Sequence, residues 1–136
     1  MTDEFTGVVS EYKQVVTKEH LDDYNHVNNA KYLEFLEAAR WFHYKEKANS
    51  FITQKLMFVI VNININYRYQ ALEGDELIIK TQLKKIGSKS AVIHQEAFIK
   101  DTDRLVVDAD VTFVIFDPIS KSALDLKGDI FEALAV

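Results

Sequence analysis

The stretch DDYNHVNNAKY, from Asp22 to Tyr32, gathers many side chains that could do chemistry. Two carboxylates, an imidazole and three amides stand directly ahead of a segment whose apolar residues recur at helical spacing. A carboxylate can serve as a nucleophile or a general base, and a histidine can orient water or share a proton. A solvated turn in which Asn28 and Asn29 cap the helix is the plainer interpretation, because asparagine side chains accept hydrogen bonds from free helix N–H groups.

The segment that follows predicts an amphipathic α-helix from Tyr32 to about Ala48. Its apolar face is formed at helical spacing by Tyr32, Phe35, Leu36, Ala39, Phe42 and His43. Glu37 and Arg40 are spaced to form an ion pair on its surface. The first N–H groups of such a helix lack intrahelical partners, and the helix dipole favours negative charge there. Negative charge on a bound group could therefore be held at this helix start.

Strand patterns dominate the rest of the chain. The segment from Met57 to Gln70 alternates, with Val59, Val61, Ile63, Ile65, Tyr67 and Tyr69 on one face and Asn62, Asn64, Asn66 and Arg68 on the other. Further strands are predicted over Gly7 to Thr17, Glu76 to Ile86, Ala91 to Lys100 and Leu105 to Phe116, with a short terminal helix. Four consecutive strands favour an antiparallel sheet, so the prediction is an α+β fold in which one long helix lies against a curved sheet of about five strands.

The composition limits the classes of protein that remain. The chain has 136 residues, 48% of them hydrophobic, and only one proline, so we expect a single domain over residues 1–136. The formal net charge of −5 argues against a general nucleic-acid binder. With no cysteine, disulfides, thiolate zinc sites and a cysteine nucleophile are excluded. Apolar runs fall short of a membrane span and no signal pattern opens the chain, so a soluble, cytoplasmic protein is expected.

Several stretches together resemble hotdog-fold acyl-CoA thioesterases of the 4-hydroxybenzoyl-CoA thioesterase-like family. LDDYNHVNNAKYLEFLEAARW is similar to that family's signature, an Asp, three residues, a His or apolar position, then V-x-N-x-x-Y leading into the hotdog helix. NYRYQALEGDELIIKT resembles its Tyr-x-x-Pro-Ala-x-x-Gly-Asp strand and turn, with Gln70 in place of the proline. KKIGSKSAVIHQEAF and LVVDADVTFVIFDP resemble its remaining strands, so the likeness covers nearly the whole chain. Asn25 stands where this family most often has glycine, and asparagine tolerates a left-handed backbone better than most residues.

The resemblance implies roles for three residues of the opening stretch. Asp22 aligns with the catalytic carboxylate, as nucleophile or general base, and the backbone N–H of Asn29 aligns with the oxyanion donor. His26 either orients water, bonds the thioester carbonyl or Asp22, or is a histidine satisfied by backbone at a turn. Asp23 is expected to be a solvated turn acid. No metal or cofactor is expected, because His20, Asp22, Asp23 and His26 match no known ligand spacing.

A basic turn around KKIGSKS is the candidate for binding the coenzyme A phosphates, through Lys84, Lys85, Ser88 and Lys89. The plainer interpretation is a charged hairpin that keeps the end of a sheet soluble. The asparagine face of the second strand is expected to be either an exposed face or a polar seam between two subunits. The aromatic side chains of the helix bound an acyl pocket or belong to the core; they are Trp41, Phe42 and Tyr44.

The resulting functional prediction is an acyl-CoA thioesterase that works as a homodimer or homotetramer with sites at the subunit boundary. An acyl-carrier-protein thioesterase stays open, because plant enzymes of that class share Asp, three residues and His-Val-Asn-Asn. A hotdog enoyl-CoA hydratase and a non-catalytic acyl-CoA-binding subunit also stay open, since a fold alone does not imply catalysis. Release of free thiol from an acyl-CoA separates the thioesterase from the hydratase and from the binding subunit.

Overall fold

The computed structural model describes residues 7–135, without the side chains of residues 47–50. A six-residue strand and a 3₁₀ turn come first, two helices and four long strands follow, and a two-residue strand and a short helix come last. The helices are α1 (Asn29–His43), α2 (Lys45–Thr53) and α3 (Asp129–Leu134). The strands are β1 (Ser10–Val15), β2 (Met57–Tyr67), β3 (Glu76–Ile86), β4 (Ala91–Ile99), β5 (Leu105–Asp117) and the two-residue β6 (Ser122–Ala123). Within residues 7–135, no helix is both long enough and apolar enough to cross a membrane.

All pairings in the sheet are antiparallel, and the long strands stand in the order β1-β3-β4-β5-β2. Alternate residues of β3, β4 and β5 are buried, and α1 packs on this buried face nearest to β1 and β3. Burying one face of a sheet under one helix is the arrangement that the alternating strand pattern requires. The predicted fold class, a long helix held by a curved antiparallel sheet of about five strands, is confirmed.

Helix α1 has the predicted buried stripe but different ends. Tyr32, Phe35, Leu36 and Ala39 are buried, as their spacing requires, whereas at the end of the predicted stripe Phe42 is exposed and His43 is half-buried. The helix begins at Asn29, three residues earlier than predicted, because Asn28 provides the N-cap. It ends at His43, well before Ala48, because the backbone of Tyr44 leaves the helical region (φ −105°, ψ 17°) and a second helix, α2, follows.

The face assignment of β2 is wrong for its first half. The register with β5 shifts between Ile60 and Asn62, which leaves Val61 as an extra residue, a β-bulge. Phe58 and Ile60 therefore lie opposite buried residues of β5, on the same face as Ile63, Ile65 and Tyr67. Val59 instead shares the outer face with the asparagines. A bulge adds one residue without breaking the apolar pattern. The pattern alone therefore assigns the residues before the bulge to the wrong face of the strand.

The predicted ion pair between Glu37 and Arg40 is also wrong. Within the described chain no ion pair joins the two residues; Arg40 instead donates from Nη1 to Oε1 of the fully buried Gln95 at 3.1 Å. Gln95 in turn donates to the Leu36 carbonyl and to Thr81 Oγ1, both at 3.0 Å. Burial lowers the pKa of Arg40, while the charge of Glu37 acts in the opposite sense. This buried network ties the middle of α1 to the sheet.

His43 should make the free energy of unfolding depend on pH. Its Nδ1 lies 2.8 Å from Ser10 Oγ, and its buried Nε2 has no hydrogen-bond partner among the described residues. Burial lowers the pKa of His43 below its ordinary value of 6.5. The unfolded chain then binds more protons than the folded chain as the pH falls through about 6.5, so stability present above that pH is lost below it.

Urea unfolding at about pH 7.5 and at about pH 5.5 measures this dependence, in a window above the usual titration range of carboxylates. We expect a lower free energy of unfolding at the lower pH, and a smaller difference between the two pH values in His43→Gln. The other three histidines are present in both proteins and cancel in the comparison. Equal pH dependence in the two proteins would contradict the assignment to His43.

Candidate active site

Residues 20–28 form a compact hairpin that runs directly into α1. Its ends are joined by the Asn28 N–H, which donates to the His20 carbonyl at 2.9 Å, and Leu21 pairs with Val27 next to them. The Asp22 N–H then donates to the His26 carbonyl at 2.8 Å and closes the turn. The polar stretch of the sequence is therefore a folded turn fixed to a helix start.

The Asp22 carboxylate organises this turn through one of its oxygens. Oδ1 accepts the N–H groups of Tyr24 at 2.8 Å and of His26 at 3.3 Å, an Asx-type turn. Oδ2 accepts no hydrogen bond from the described residues, and the side chain is only half-buried. The carboxylate is thus held in a fixed direction by one oxygen and keeps the other available.

The tip of the turn behaves as the sequence indicates. Asn25 stands where the family most often has glycine. Its backbone has φ 62°, the left-handed conformation that glycine adopts readily. Asp23 is exposed at the tip, which fits a solvated turn acid. The bonds between His26 and Asp22 are made by the His26 backbone, and no hydrogen bond joins its half-buried ring to Asp22. The imidazole therefore remains available to water or a ligand.

The start of α1 carries a free donor next to this turn. Asn28 is the N-cap, and its side-chain Oδ1 accepts the Ala30 N–H at 2.8 Å while its carbonyl accepts the Lys31 N–H at 2.9 Å. Asn29 is the first helical residue and its side chain does not cap, in contrast to the prediction that both asparagines would. No described group accepts the Asn29 N–H, which leaves it open at the positive end of the helix dipole.

The basic turn lies at the other end of the sheet. The helix start is level with Tyr67, whose hydroxyl approaches the Asn29 carbonyl at 3.5 Å and which pairs with Val107 of β5. The basic turn follows Ile86 and precedes Ala91, which pairs with Phe113 of β5. Six positions along β5, or about 20 Å, separate the two levels. One protomer does not bring the predicted phosphate-binding residues to the helix start.

Two of the predicted phosphate-binding lysines already have anionic partners. Lys84 forms an ion pair with Asp110 at 2.9 Å, on the outer face of the sheet. Lys89 forms one with Asp125 at 3.3 Å, and the Ser88 carbonyl accepts the Leu126 N–H at 2.7 Å. Both lysine pairs are partly exposed, so they contribute little to stability and can exchange for another anion.

The suspected metal ligands do not converge. His20 Nδ1 accepts the Thr17 N–H at 2.9 Å, and its ring packs edge-on against Phe35 at 4.8 Å between centroids. Across residues 7–135 there is no group of three or more His, Asp or Glu side chains placed to hold a metal ion.

A cavity of about 70 Å³ lies along the second half of α1, away from Asp22. Its lining includes two of the three aromatic residues that the sequence offered for an acyl pocket, Trp41 and Tyr44. Phe42 is not among them; its ring packs on Tyr12. The lining residues are Glu37, Arg40, Trp41, Tyr44, Phe58, Ile60, Ile93 and Phe113.

Two residues with buried long-range contacts were missed by sequence reasoning: Gln95, which ties the middle of α1 to the sheet, and Ala71, which contacts the hairpin. Gln95 lies on the buried face of β4. A polar residue at a position that the alternating strand pattern places on the buried face was the available sign of a buried hydrogen-bond network. Ala71 is fully buried outside the strands, and its carbonyl accepts the Val27 N–H at 3.4 Å. Nothing in the sequence around Ala71 indicates that contact, because it joins segments more than 40 residues apart.

The fold and the site together define a class of protein. An antiparallel sheet holds one long helix, and a carboxylate hairpin leads into the free Asn29 N–H at the start of that helix. A fixed carboxylate and an oxyanion donor are the two groups that acyl transfer from a thioester requires. This is the arrangement of a hotdog-fold thioester hydrolase.

Comparison with known proteins gives the same class. The family model described as the thioesterase-like superfamily matches residues 15–134, and the chain belongs to this superfamily. It is 45% identical over 118 residues to the long-chain acyl-CoA thioesterase FadM of Escherichia coli (strain K12), covering 85% of this chain and 89% of FadM.

Solved structures extend the comparison to the fold. YbaW, a probable thioesterase from Escherichia coli, is 38% identical with a TM-score of 0.86, over 93% of this chain and 98% of that one. The 4-hydroxybenzoyl-CoA thioesterase from Pseudomonas sp. strain CBS-3 is 20% identical with a TM-score of 0.80, over 92% and 98%. At that identity the second likeness shows the fold alone. The predicted family, hotdog fold and thioester hydrolase class are confirmed.

Proposed function

We propose that this chain hydrolyses acyl-CoA thioesters to a free acid and coenzyme A, with Asp22 and the Asn29 N–H as its central groups. The observation that carries the proposal is the hairpin that joins the fixed Asp22 carboxylate directly to the free N–H at the start of α1. The 45% identity to a long-chain acyl-CoA thioesterase supports a long-chain substrate.

In the proposed reaction Asp22 acts through the oxygen that the turn does not use. Oδ2 either attacks the thioester carbon itself or takes a proton from the attacking water. The carbonyl oxygen gains negative charge, which the Asn29 N–H and the helix dipole stabilise. The C–S bond then breaks and the thiolate leaves, taking a proton from Asp22 in the general-base route or from solvent in the nucleophilic route. Water supplies the new oxygen of the acid, either by direct attack or by hydrolysing the acyl–Asp22 anhydride. His26 is proposed to orient that water through its free ring.

The cavity beside α1 is proposed to receive the far end of the acyl chain. Asn29, Leu33, Glu37 and Trp41 follow one another at intervals of four residues, so they form a continuous line along the helix. Twelve residues separate Asn29 from Trp41, a distance of about 18 Å along the axis. A short acyl group would not extend from the helix start into an apolar cavity at that distance, whereas a long one would.

Filling the cavity should therefore shorten the preferred substrate. Ile60 lines it from the edge strand and is partly exposed, so a larger side chain is tolerated there. We expect Ile60→Trp to lower kcat/KM for long-chain acyl-CoA by about tenfold, because lost burial of two methylene groups already costs about 1.6 kcal/mol. The value for short-chain acyl-CoA should not change.

The matched control is Val59→Trp, which adds the same ring to the opposite face of β2. It should leave the chain-length profile as in the wild type. Thiol release measured over acyl-CoAs of increasing length compares the three proteins. A uniform loss at all lengths in Ile60→Trp would contradict the placement of the acyl chain.

A second copy of the chain is proposed to complete the site, in a homodimer or homotetramer. Strand β2 is an eleven-residue edge strand that exposes apolar side chains, among them Met57, Ile60 and Val61. Long exposed edges pair with other strands. Antiparallel pairing of two β2 strands would place the partner's basic turn at the level of this helix start, where Lys84, Lys85, Ser88 and Lys89 could meet the coenzyme A phosphates. The asparagine side of β2 would then border that seam.

Thiol release over a panel of acyl-CoA, acyl-carrier-protein and enoyl-CoA thioesters tests the proposed function. We expect release from long-chain acyl-CoA to exceed release from the carrier-protein thioester. Hydration of the enoyl group without thiol release would instead identify a hydratase, and tight binding without turnover a binding subunit. We also propose that residues 1–136 form one domain. The proposed cytoplasmic location would be checked by cell fractionation.

A further inference from the structure

Three separate segments meet at the candidate site, and one buried residue joins them. Ala71, in the connection between β2 and β3, uses both of its backbone polar groups. Its carbonyl accepts the Val27 N–H from the hairpin at 3.4 Å, and its N–H donates to the Tyr32 hydroxyl on α1 at 3.1 Å. The hairpin that carries Asp22 and the helix start that carries Asn29 are therefore both fastened to Ala71.

Tyr32 is buried at the junction of these three segments. It is only 4% exposed, and it lies three residues after Asn29, in the first turn of α1. Its ring packs against Phe35 at 6.2 Å and Tyr67 at 5.8 Å between centroids. Burial raises the pKa of Tyr32, so its hydroxyl stays neutral and can accept the Ala71 N–H.

We propose that Tyr32 is a positioning residue for thioester hydrolysis, because its hydroxyl sets the direction of the Asp22 turn relative to the Asn29 N–H through Ala71. This inference rests on the proposed function. Val27 already continues into Asn28 and α1 along the chain, and the Tyr32–Ala71–Val27 path closes a second connection between the same two elements. Together with the Asn28–His20 hydrogen bond, this connection restricts the rotation that the covalent connection alone leaves free.

Removal of the hydroxyl should therefore affect turnover more than binding. Small displacements of reacting groups cost about 10²-fold in rate, so we expect Tyr32→Phe to lower kcat by about 10- to 100-fold. The aromatic ring and its packing are kept. KM should stay within about twofold of the wild type, because no group proposed to bind coenzyme A contacts Tyr32.

Thr81→Val is the matched control for a purely structural effect. It also removes one buried hydroxyl, the acceptor of a 3.0 Å hydrogen bond from Gln95, at a place remote from the hairpin. Both variants should melt at lower temperature than the wild type, but only Tyr32→Phe should lose kcat when both are assayed well below their Tm. If Tyr32→Phe does not fold, 4-fluorophenylalanine at position 32 keeps the ring and fills most of the hydroxyl's space with a far weaker acceptor, and the same kcat criterion applies.

A spectroscopic readout separates positioning from general weakening. Each protein is saturated with an acyl-CoA analogue in which a methylene group replaces the thioester sulfur, and the carbonyl stretch of the bound ketone is recorded by isotope-edited infrared difference spectroscopy. We expect a band shifted to lower frequency in the wild type and in Thr81→Val, and a broader band nearer its position in water in Tyr32→Phe.

The possible results are distinct for the inference and for the proposed function. Wild-type kcat and an unchanged band in Tyr32→Phe would overturn the positioning role, as would an equal loss of kcat in Thr81→Val. A wild type that releases no thiol from any acyl-CoA would instead overturn the proposed function.

Discussion

Replacement of Asn29 by proline is expected to lower kcat by about 10²–10³-fold, the usual cost of losing one oxyanion donor. Proline removes the backbone N–H of Asn29, the group proposed to stabilise the oxyanion, and changes little else. That N–H has no acceptor among the described residues, so no hydrogen bond of the fold is lost. Proline is also favoured at the first position of a helix, where its fixed φ suits the helical backbone.

The backbone before Asn29 already fits a proline. Asn28 has φ −59° and ψ 136°, within the extended region that the residue preceding proline prefers. The N-cap bond from Ala30 to the Asn28 side chain does not involve the N–H that is removed. We therefore expect Asn29→Pro to keep its helical circular dichroism and a Tm near that of the wild type.

Asn29→Ala is the control, because it removes the side chain and keeps the N–H. Its kcat for thiol release should stay within about threefold of the wild type, since the donor assigned to the oxyanion is the backbone. Wild-type kcat in Asn29→Pro would show that another donor holds the oxyanion. A large loss in Asn29→Ala would show that the side chain takes part.

The parts of the fold that depend on local periodicity were predictable from the sequence. The buried stripe of α1 and the extents of β3, β4 and β5 follow from spacings of 3.6 and 2 residues, and the structure has them. The left-handed backbone of Asn25 was also indicated, because asparagine is one of the few residues that can replace glycine at a left-handed position in a tight turn. These features are determined by neighbours in the sequence, so a single chain reveals them.

Features that join distant segments were not predictable in the same way. The spacing of Glu37 and Arg40 suggested a surface ion pair, but Arg40 bonds Gln95, which is 55 residues away. The bulge at Val61 depends on the register with β5, which the strand itself does not encode. The Tyr32–Ala71 hydrogen bond spans 39 residues. The V-x-N-x-x-Y motif therefore singled out Tyr32 but did not indicate its hydrogen-bond partner.

Replacement of Asp22 by asparagine is expected to lower kcat by about 10²–10⁴-fold, whether the carboxylate is nucleophile or general base. The turn should survive, because the asparagine Oδ1 can still accept the N–H groups of Tyr24 and His26. The oxygen that is lost is Oδ2, which no described residue binds. The variant thus separates the chemical role of Asp22 from its structural role, and its Tm should change little.

Two further carboxylates make the result specific to Asp22. Asp23→Asn neutralises the next residue, which is exposed at the tip of the turn, and should keep kcat within about twofold. Glu37→Gln tests the acid that α1 itself carries, two turns from the helix start and in the lining of the cavity. It has no ion-pair partner in residues 7–135. Steady-state thiol release at saturating acyl-CoA gives kcat for all three variants. Full activity in Asp22→Asn together with loss of activity in Glu37→Gln would show that the catalytic carboxylate is Glu37 on the helix and not Asp22 in the hairpin.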